Sequence, residues 1–186
     1  MAVIEAISTV YMEAFGAEAS YIIFDDIPDT YKHLEIRVSG QTNRATYGND
    51  ALEMRMGDDA DSPLDVGGNY SYITLETDGT TTAFGHGGVN TSIPRIGRIS
   101  SSTANAANFG VAVITVMDYA NTNKFTTVLG GGGNLTALGT TANSVSVTFN
   151  SVMWNDTAAV NAISLFCEGG TGWMRGSCAT LYGIND

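Results

Sequence analysis

This sequence predicts an all-β fold, a jelly-roll-like β-sandwich, on three observations. Apolar and polar residues alternate over short stretches, Gly/Asn/Asp turns punctuate the chain at short intervals, and the helical spacing i, i+3, i+4, i+7 is nearly absent. About ten short strands joined by polar turns suit a sandwich or jelly roll. The 186 residues fit one domain with a short appendage. A domain of this size buries about 70% of its unfolded surface, so it folds without a disulfide or a metal. With 44% hydrophobic and 15% charged residues, long disordered regions are not expected.

The chain opens on "MAVIEAISTVYMEAF". Residues 1–18 read as a separate N-terminal arm or edge strand, because "EAFGAEA" interrupts the strand pattern, and residues 19–186 read as the sandwich. Acids stand where a signal peptide carries Lys or Arg. No apolar run approaches the roughly 20 residues of a membrane span. "HLEIRVSG" sets Leu34, Ile36 and Val38 against Glu35, Arg37 and Ser39, and "ALEMRMG" sets Leu52, Met54 and Met56 against Glu53 and Arg55. "YSYITLET" puts Tyr70 and Tyr72 on one face and Ile73 and Leu75 near the other. "NSVSVTFNS" alternates Val145, Val147 and Phe149 with small polar residues, and "AISLFCE" aligns Ile163, Leu165 and Cys167. The alternating strands read as half-buried, apolar side in and polar side wet. "FGVAVITVMDY" differs, being apolar at nearly every position from Val111 to Met117. Such a strand is covered on both faces, or one face meets another subunit. The turns are "SGQTN", "GDDADSP", "VGGN", "TDGTT", "GHGG", "GGGGN" and "EGGTG".

No stretch carries a catalytic pattern. The glycines of "VLGGGGNL" lack the Lys and following helix of a phosphate loop, so they read as a flexible bend between strands. His33 at a strand start and His86 in a glycine turn have neither a nucleophile elbow nor a third metal ligand to work with. "MGDDADSPLD" gathers Asp58, Asp59, Asp61 and Asp65, a solvated acidic turn or a weak calcium site without the EF-hand order. Glu35 and Glu53 sit at wet-face positions, which accounts for them without glycosidase chemistry. Trp154, Trp173, Tyr47, Tyr70 and Tyr72 pack over the sandwich rim or, if exposed, bind sugar. Cys167 and Cys178 read as buried free thiols or a disulfide across a Gly-rich turn. The expectation is therefore no enzyme, no cofactor and no resident metal. Eight basic against nineteen acidic residues, net −11, provide no basic face for nucleic acid or anionic membrane.

Three stretches resemble a group of small β-sandwich virion proteins of tailed phages. "IIFDDIPDTYKHLEIRVSG" (22–40) resembles that group's strand, I-P-x-T-Y-K motif and strand. "VITVMDYANTNKFTTV" (113–128) resembles its D-Y-A-N-T-x-K block, and "MWNDTAAVNAISLF" with the closing "TLYGI" resembles its W-x-x-T-x-A run and terminal strand. "MGDDADSPLDVGG" and "GGGGNLTALGTTANS" depart from the pattern. On the residues themselves, Pro28, Asp29, Thr30 and Lys124 read first as folding residues, through a fixed φ, local backbone bonds and strand cover.

The resemblance implies a virion structural protein, a trimer with a jelly-roll-like domain, and no catalytic residues. Two functions follow from it. One is a capsid decoration (cement) protein on the virion head, partnered by further copies of itself and by the major capsid protein. A chain opening at Met1 on a short domain without a fibrous stalk favours this reading. The other is a tail-fibre or tail-tip module whose Gly/Asp/Thr loops bind a host surface glycan or protein.

Overall fold

A computed structural model describes residues 3–13, 19–58, 65–77, 83–103, 107–135 and 145–185. Among them are twelve strands and no helix: β1 (Val3–Tyr11), β2 (Ile22–Phe24), β3 (His33–Thr42), β4 (Asn49–Gly57), β5 (Tyr70–Thr77), β6 (Phe84–Thr91), β7 (Arg95–Ser101), β8 (Gly110–Met117), β9 (Thr126–Asn134), β10 (Ser146–Trp154), β11 (Ala162–Cys167) and β12 (Cys178–Asn185). The larger sheet is antiparallel throughout, in the order β1-β12-β3-β8-β9-β10-β5-β6. The smaller, β2-β11-β4-β7, is also antiparallel. The two join at one corner, where Gln41 and Thr42 at the end of β3 run parallel to Ser100 and Ser101 of β7. Strand β7 lies across β8, β9 and β10. The chain passes repeatedly from sheet to sheet, and the jelly-roll-like β-sandwich expected from the alternation is the fold observed.

The core sits between the sheets. Leu34 and Ile36 of β3, Ile114 and Val116 of β8, and Leu181 of β12 meet Leu52, Met54 and Met56 of β4, Ile96 and Ile99 of β7, and Ile163 and Leu165 of β11, all fully buried. Each contributes about 1.5–3 kcal/mol by leaving water. Strand β4 departs from the expected half-wet pattern. Its second face is covered too, and Glu53 is only 6% exposed.

The glycine string corrects the reading of it as a bend. Gly130 to Gly133 lie inside β9, paired on both sides by β8 and β10. The reason is the approach of the other sheet. A Cβ on Gly130 would stand 2.4 Å from the Ile96 carbonyl oxygen, and one on Gly132 would stand 3.0 Å from that of Arg98. The β7 main chain thus rests directly on the β9 main chain, where any side chain would hold it off.

At one end of the sandwich the stretches that carry the phage resemblance interlock. The Tyr119 hydroxyl donates to the Pro28 carbonyl, and Val160 N–H donates to the Tyr119 carbonyl at 2.9 Å. Ile27 N–H reaches Asn161 O at 2.9 Å. The Tyr31 ring lies over Gly183, where a Cβ would come within 2.3 Å of it, and the Tyr31 hydroxyl donates to Glu5 of β1 at 3.1 Å. Asp118, at a φ of 47°, turns the chain out of β8. Its carbonyl accepts Asn121 N–H at 2.9 Å and its carboxylate accepts Lys124. These motif residues close the fold.

Gly130→Ala is expected to cost about 1–3 kcal/mol by overpacking, read as a lower thermal midpoint. Gly131→Ala, whose Cβ meets only the Thr148 carbonyl oxygen at 3.5 Å, should melt close to the wild type. Equal melting of the two variants would contradict the direct contact of β7 on β9.

Candidate functional site

Over β5 and β10 the large sheet is turned inside out. Thr74 and Glu76 of β5, Ser146, Thr148 and Asn150 of β10, and Asn134 of β9 point inward and are buried. Each has a polar partner. Thr74 Oγ1 donates to Asn150 Oδ1 at 2.7 Å, Ser146 Oγ donates to Asn134 Oδ1 at 2.7 Å, and Glu76 pairs with Arg98 Nε at 2.6 Å. Thr148 and Asn150 also donate to the carbonyls of Gly132 and Gly130, at 3.3 and 3.4 Å. The apolar alternates therefore face out: Ile73, Val147 and Phe149 are 64%, 60% and 60% exposed. This reverses the polarity expected of "NSVSVTFNS". Leu75 of β5, Val111, Val113 and Met117 of β8, Leu129 of β9 and Met153 of β10 are exposed on the same side.

Register makes these residues one surface. Val113, Gly131, Phe149 and Leu75 form one row across β8, β9, β10 and β5; Thr115, Leu129, Ser151 and Ile73 form the next. Val111, Gly133, Val147 and Thr77 lie on one side, and Met117, Thr127, Met153 and Ser71 on the other. None of these residues is charged. The nearest charges in the rows, Glu35 and Arg37 of β3, neutralise each other at 2.8 Å. Nine apolar residues, each between 36% and 64% exposed, thus lie together on one face, the kind of contiguous apolar patch that marks an interaction surface. Gly131 and Gly133 leave a groove of about 370 Å³ between the β8 and β10 side chains, and Gly85, Gly87 and Gly88 leave one of about 540 Å³ beside Ile73.

The residues singled out from the sequence for chemistry do not converge. Trp154 and Trp173 are 2% exposed and Tyr70 is fully buried, so no sugar platform of exposed rings forms from them. Trp154 stacks on Tyr70 at 6.5 Å and donates to Asp65 Oδ2 at 2.8 Å. The Tyr70 hydroxyl bridges Met56 N–H and C=O, and burial pushes its pKa above the ordinary range. Tyr72 is half-buried against the His86 ring, and Tyr47 lies exposed under the Arg44 guanidinium at 4.7 Å. His86 is in strand β6 and not in a turn; burial and neighbouring Arg95 lower its pKa. His33 accepts Asp118 N–H at 2.9 Å, and β8, β9, β10 and β5 separate its strand from β6.

Asp59 and Asp61 of the acidic turn lie outside the described residues. Asp58 is exposed, whereas Asp65 is an internal acceptor for Trp154, for Asn69 at 2.8 Å and for Gly67 N–H at 2.7 Å. Burial alone would raise the Asp65 carboxyl, but these bonds outweigh it and hold the pKa below the usual range. Among the described residues no three His, Cys, Asp or Glu side chains form a metal site. Cys167 and Cys178 are free thiols, and burial pushes Cys167 well up. Glu53 belongs to an ionic network in which Arg44 pairs with Asp50 at 2.9 Å and Arg95 with Glu168. Burial and the charge of Glu168 push Glu53 to about 8 despite Arg95 and Arg55.

The outward apolar face is what the sequence reading missed as a whole, although the nearly continuous apolar run from Val111 to Met117 pointed at one strand of it. Its second signal is compositional. Alternate positions of four strands carry no charge in a chain of net −11.

No family model matches the chain, and no curated protein sequence does. Among solved structures, a legume lectin-like domain from Entamoeba histolytica aligns over 98% of this chain and 87% of its own, at 10% identity and a TM-score of 0.31. The exoplasmic/lumenal domain of VIP36, in a form bound to Ca2+ and Man3GlcNAc, aligns over 89% and 85%, at 13% identity and 0.26. A GH43 protein from Bacillus licheniformis aligns over 89% of this chain and 32% of its own, at 7% identity and 0.28. Scores this low carry neither site nor activity to this chain.

The raised Glu53 carboxyl sets a pH dependence. Between its ordinary value of 4.5 and about 8 the folded state keeps a proton that the unfolded state releases. Stability from this group therefore falls as pH rises through that window and is gone above it. Glu53→Gln should flatten the decline of the thermal midpoint between about pH 5 and about pH 9. Parallel declines in wild type and variant would refute the assignment.

Proposed function

We propose that this protein is a structural component of a phage virion, a capsid decoration protein whose copies associate through the uncharged outer face of the large sheet. The observation that supports it most is the reversed polarity of β5 and β10, which bury Thr74, Glu76, Ser146, Thr148 and Asn150 and expose Ile73, Leu75, Val147 and Phe149. A strand that stayed in water on its outer side would gain by the opposite arrangement. The reversal makes sense where the outer face is covered in the working state.

Charge argues for a second copy as the cover. With a net charge of −11, copies repel one another over most orientations, and this face lets two approach without opposing carboxylates. Covering it removes apolar area from water at about 25 cal/mol per Å² before the costs of association. Clustered copies would span neighbouring shell subunits and resist internal pressure by added contact, with the acidic remainder directed at basic patches of the major capsid protein. The virion assignment rests on the sequence resemblance. In the fold the motif residues interlock at the end of the sandwich and act as framework.

Quantitative mass spectrometry of purified virions tests the placement. A ratio to the major capsid protein near one to one or one to three is the expected result; a few copies per particle would shift the protein to the tail. Light scattering after size exclusion tests the face. Wild type should exceed its 19.5 kDa chain mass at micromolar concentration, and Phe149→Glu should elute as a monomer with its fold intact. A monomeric wild type would sink self-association.

A further inference from the structure

Resting on the self-association proposed above, we infer that it is pairwise and two-fold, with Phe149 of each copy seated over Gly131 of the other. The glycines around this face differ in what a side chain on them would meet. At Gly87, Gly130, Gly132 and Gly133 an added Cβ would come within 2.5, 2.4, 3.0 and 2.8 Å of main-chain oxygen, so the fold itself demands glycine. At Gly131 and Gly85 the nearest atom is a carbonyl oxygen at 3.5 Å, an ordinary contact, and neither has a positive φ. The isolated sandwich accepts a side chain at both. A mid-strand glycine loses about 0.5–1 kcal/mol relative to alanine, and where no intramolecular contact demands it, it marks the close approach of another molecule.

Position makes the two glycines informative. Gly131, Phe149, Leu75 and Gly85 are consecutive in one row across β9, β10, β5 and β6. An apolar ridge, Phe149 and Leu75, thus stands between two bare slots. Ridge and slot occupy neighbouring strands β10 and β9. A two-fold axis parallel to the strands, between the facing sheets and over the β9–β10 boundary, exchanges them. One operation lays each Phe149 ring into the other copy's 370 Å³ groove, walled by Val111, Val113 and Val147. Such an interface is isologous and closes at two copies, which takes the place of the trimer implied by the resemblance. It sets no charges against each other.

Light scattering and sedimentation on the full chain test this. Wild type should have twice the 19.5 kDa chain mass. Gly131→Leu, which fills the slot, should weaken pairing at least tenfold while its unfolding, measured at a dilution where both proteins are monomeric, stays like that of wild type. Gly131→Ala, a smaller intrusion, should weaken it less. Phe149→Ala added to Gly131→Leu should restore pairing, since a shortened knob then meets a filled slot, an outcome a merely structural glycine would not produce. A wild-type monomer would overturn self-association and this inference together. A wild type that associates with three times the chain mass, or pairs as tightly with Gly131→Leu, would overturn the two-fold slot alone.

Discussion

The contact on which the rest of this structure depends is main chain against main chain, the Ile96 to Arg98 segment of β7 lying on Gly130 and Gly132 of β9. Facing sheets ordinarily stand about 10 Å apart with side chains between them. Here one strand closes that gap, so the inward positions around it have no room for large apolar groups. Small polar residues fill them and satisfy one another: Thr74 with Asn150, Ser146 with Asn134, and Thr148 with the Gly132 carbonyl. A buried polar group costs little when its bonds are made and several kcal/mol when they are not. Because strand side chains alternate, large apolar residues on these strands had one direction left, outward.

The opposite end is built conventionally. Trp154, Tyr70, Val152 and Val128 join the core where the sheets are farther from the glycine contact, and Tyr119, Tyr31 and Pro28 close it. The two ends divide the work. One is a packed framework, tied by the Tyr119 hydroxyl and the turn at Asp118. The other trades a large apolar interior for an apolar exterior. Rigidity at the first end matters for the second, because a flat face of exposed Val, Ile, Leu and Phe specifies a partner only if its ridge and slots hold their spacing. Left loose, such a face would be an aggregation hazard.

The ionic network along β4, β7 and the turn after β11 makes a further point about alternation. Glu53 occupies a position that reads as wet, yet it is buried among Asp50, Glu168, Arg95 and Arg55 and keeps its proton to about pH 8. Asp50 and Arg55 share its strand, but Arg95 and Glu168 arrive from β7 and the turn after β11, so neither the burial nor the crowding of Glu53 by Glu168 shows in the local pattern. The same is true of Asp65, an acid of a loop that looked suited to calcium, whose lone pairs are taken by Trp154, Asn69 and Gly67 N–H.

By itself the sequence determined the all-β class, most strands and the turns at "VGGN" and "EGGTG", because period-two alternation and turn chemistry are local properties. It also carried the folding role of Pro28. "SGQTN", "GHGG" and "GGGGN", which also read as turns, lie at the end of β3 and inside β6 and β9, where strand pairing overrides the local preference of Gly and Asn. Tertiary structure decided which side of each strand is the inside. The alternation in "NSVSVTFNS" is symmetric with respect to direction, and only the arrival of β7 on β9 chose the polar set for burial. The same contact turned a glycine string that reads as a bend into the centre of a strand. Which glycines the fold needs, and which it leaves bare beside Phe149, is a matter of distances between segments far apart in the chain. No spacing along one segment encodes them.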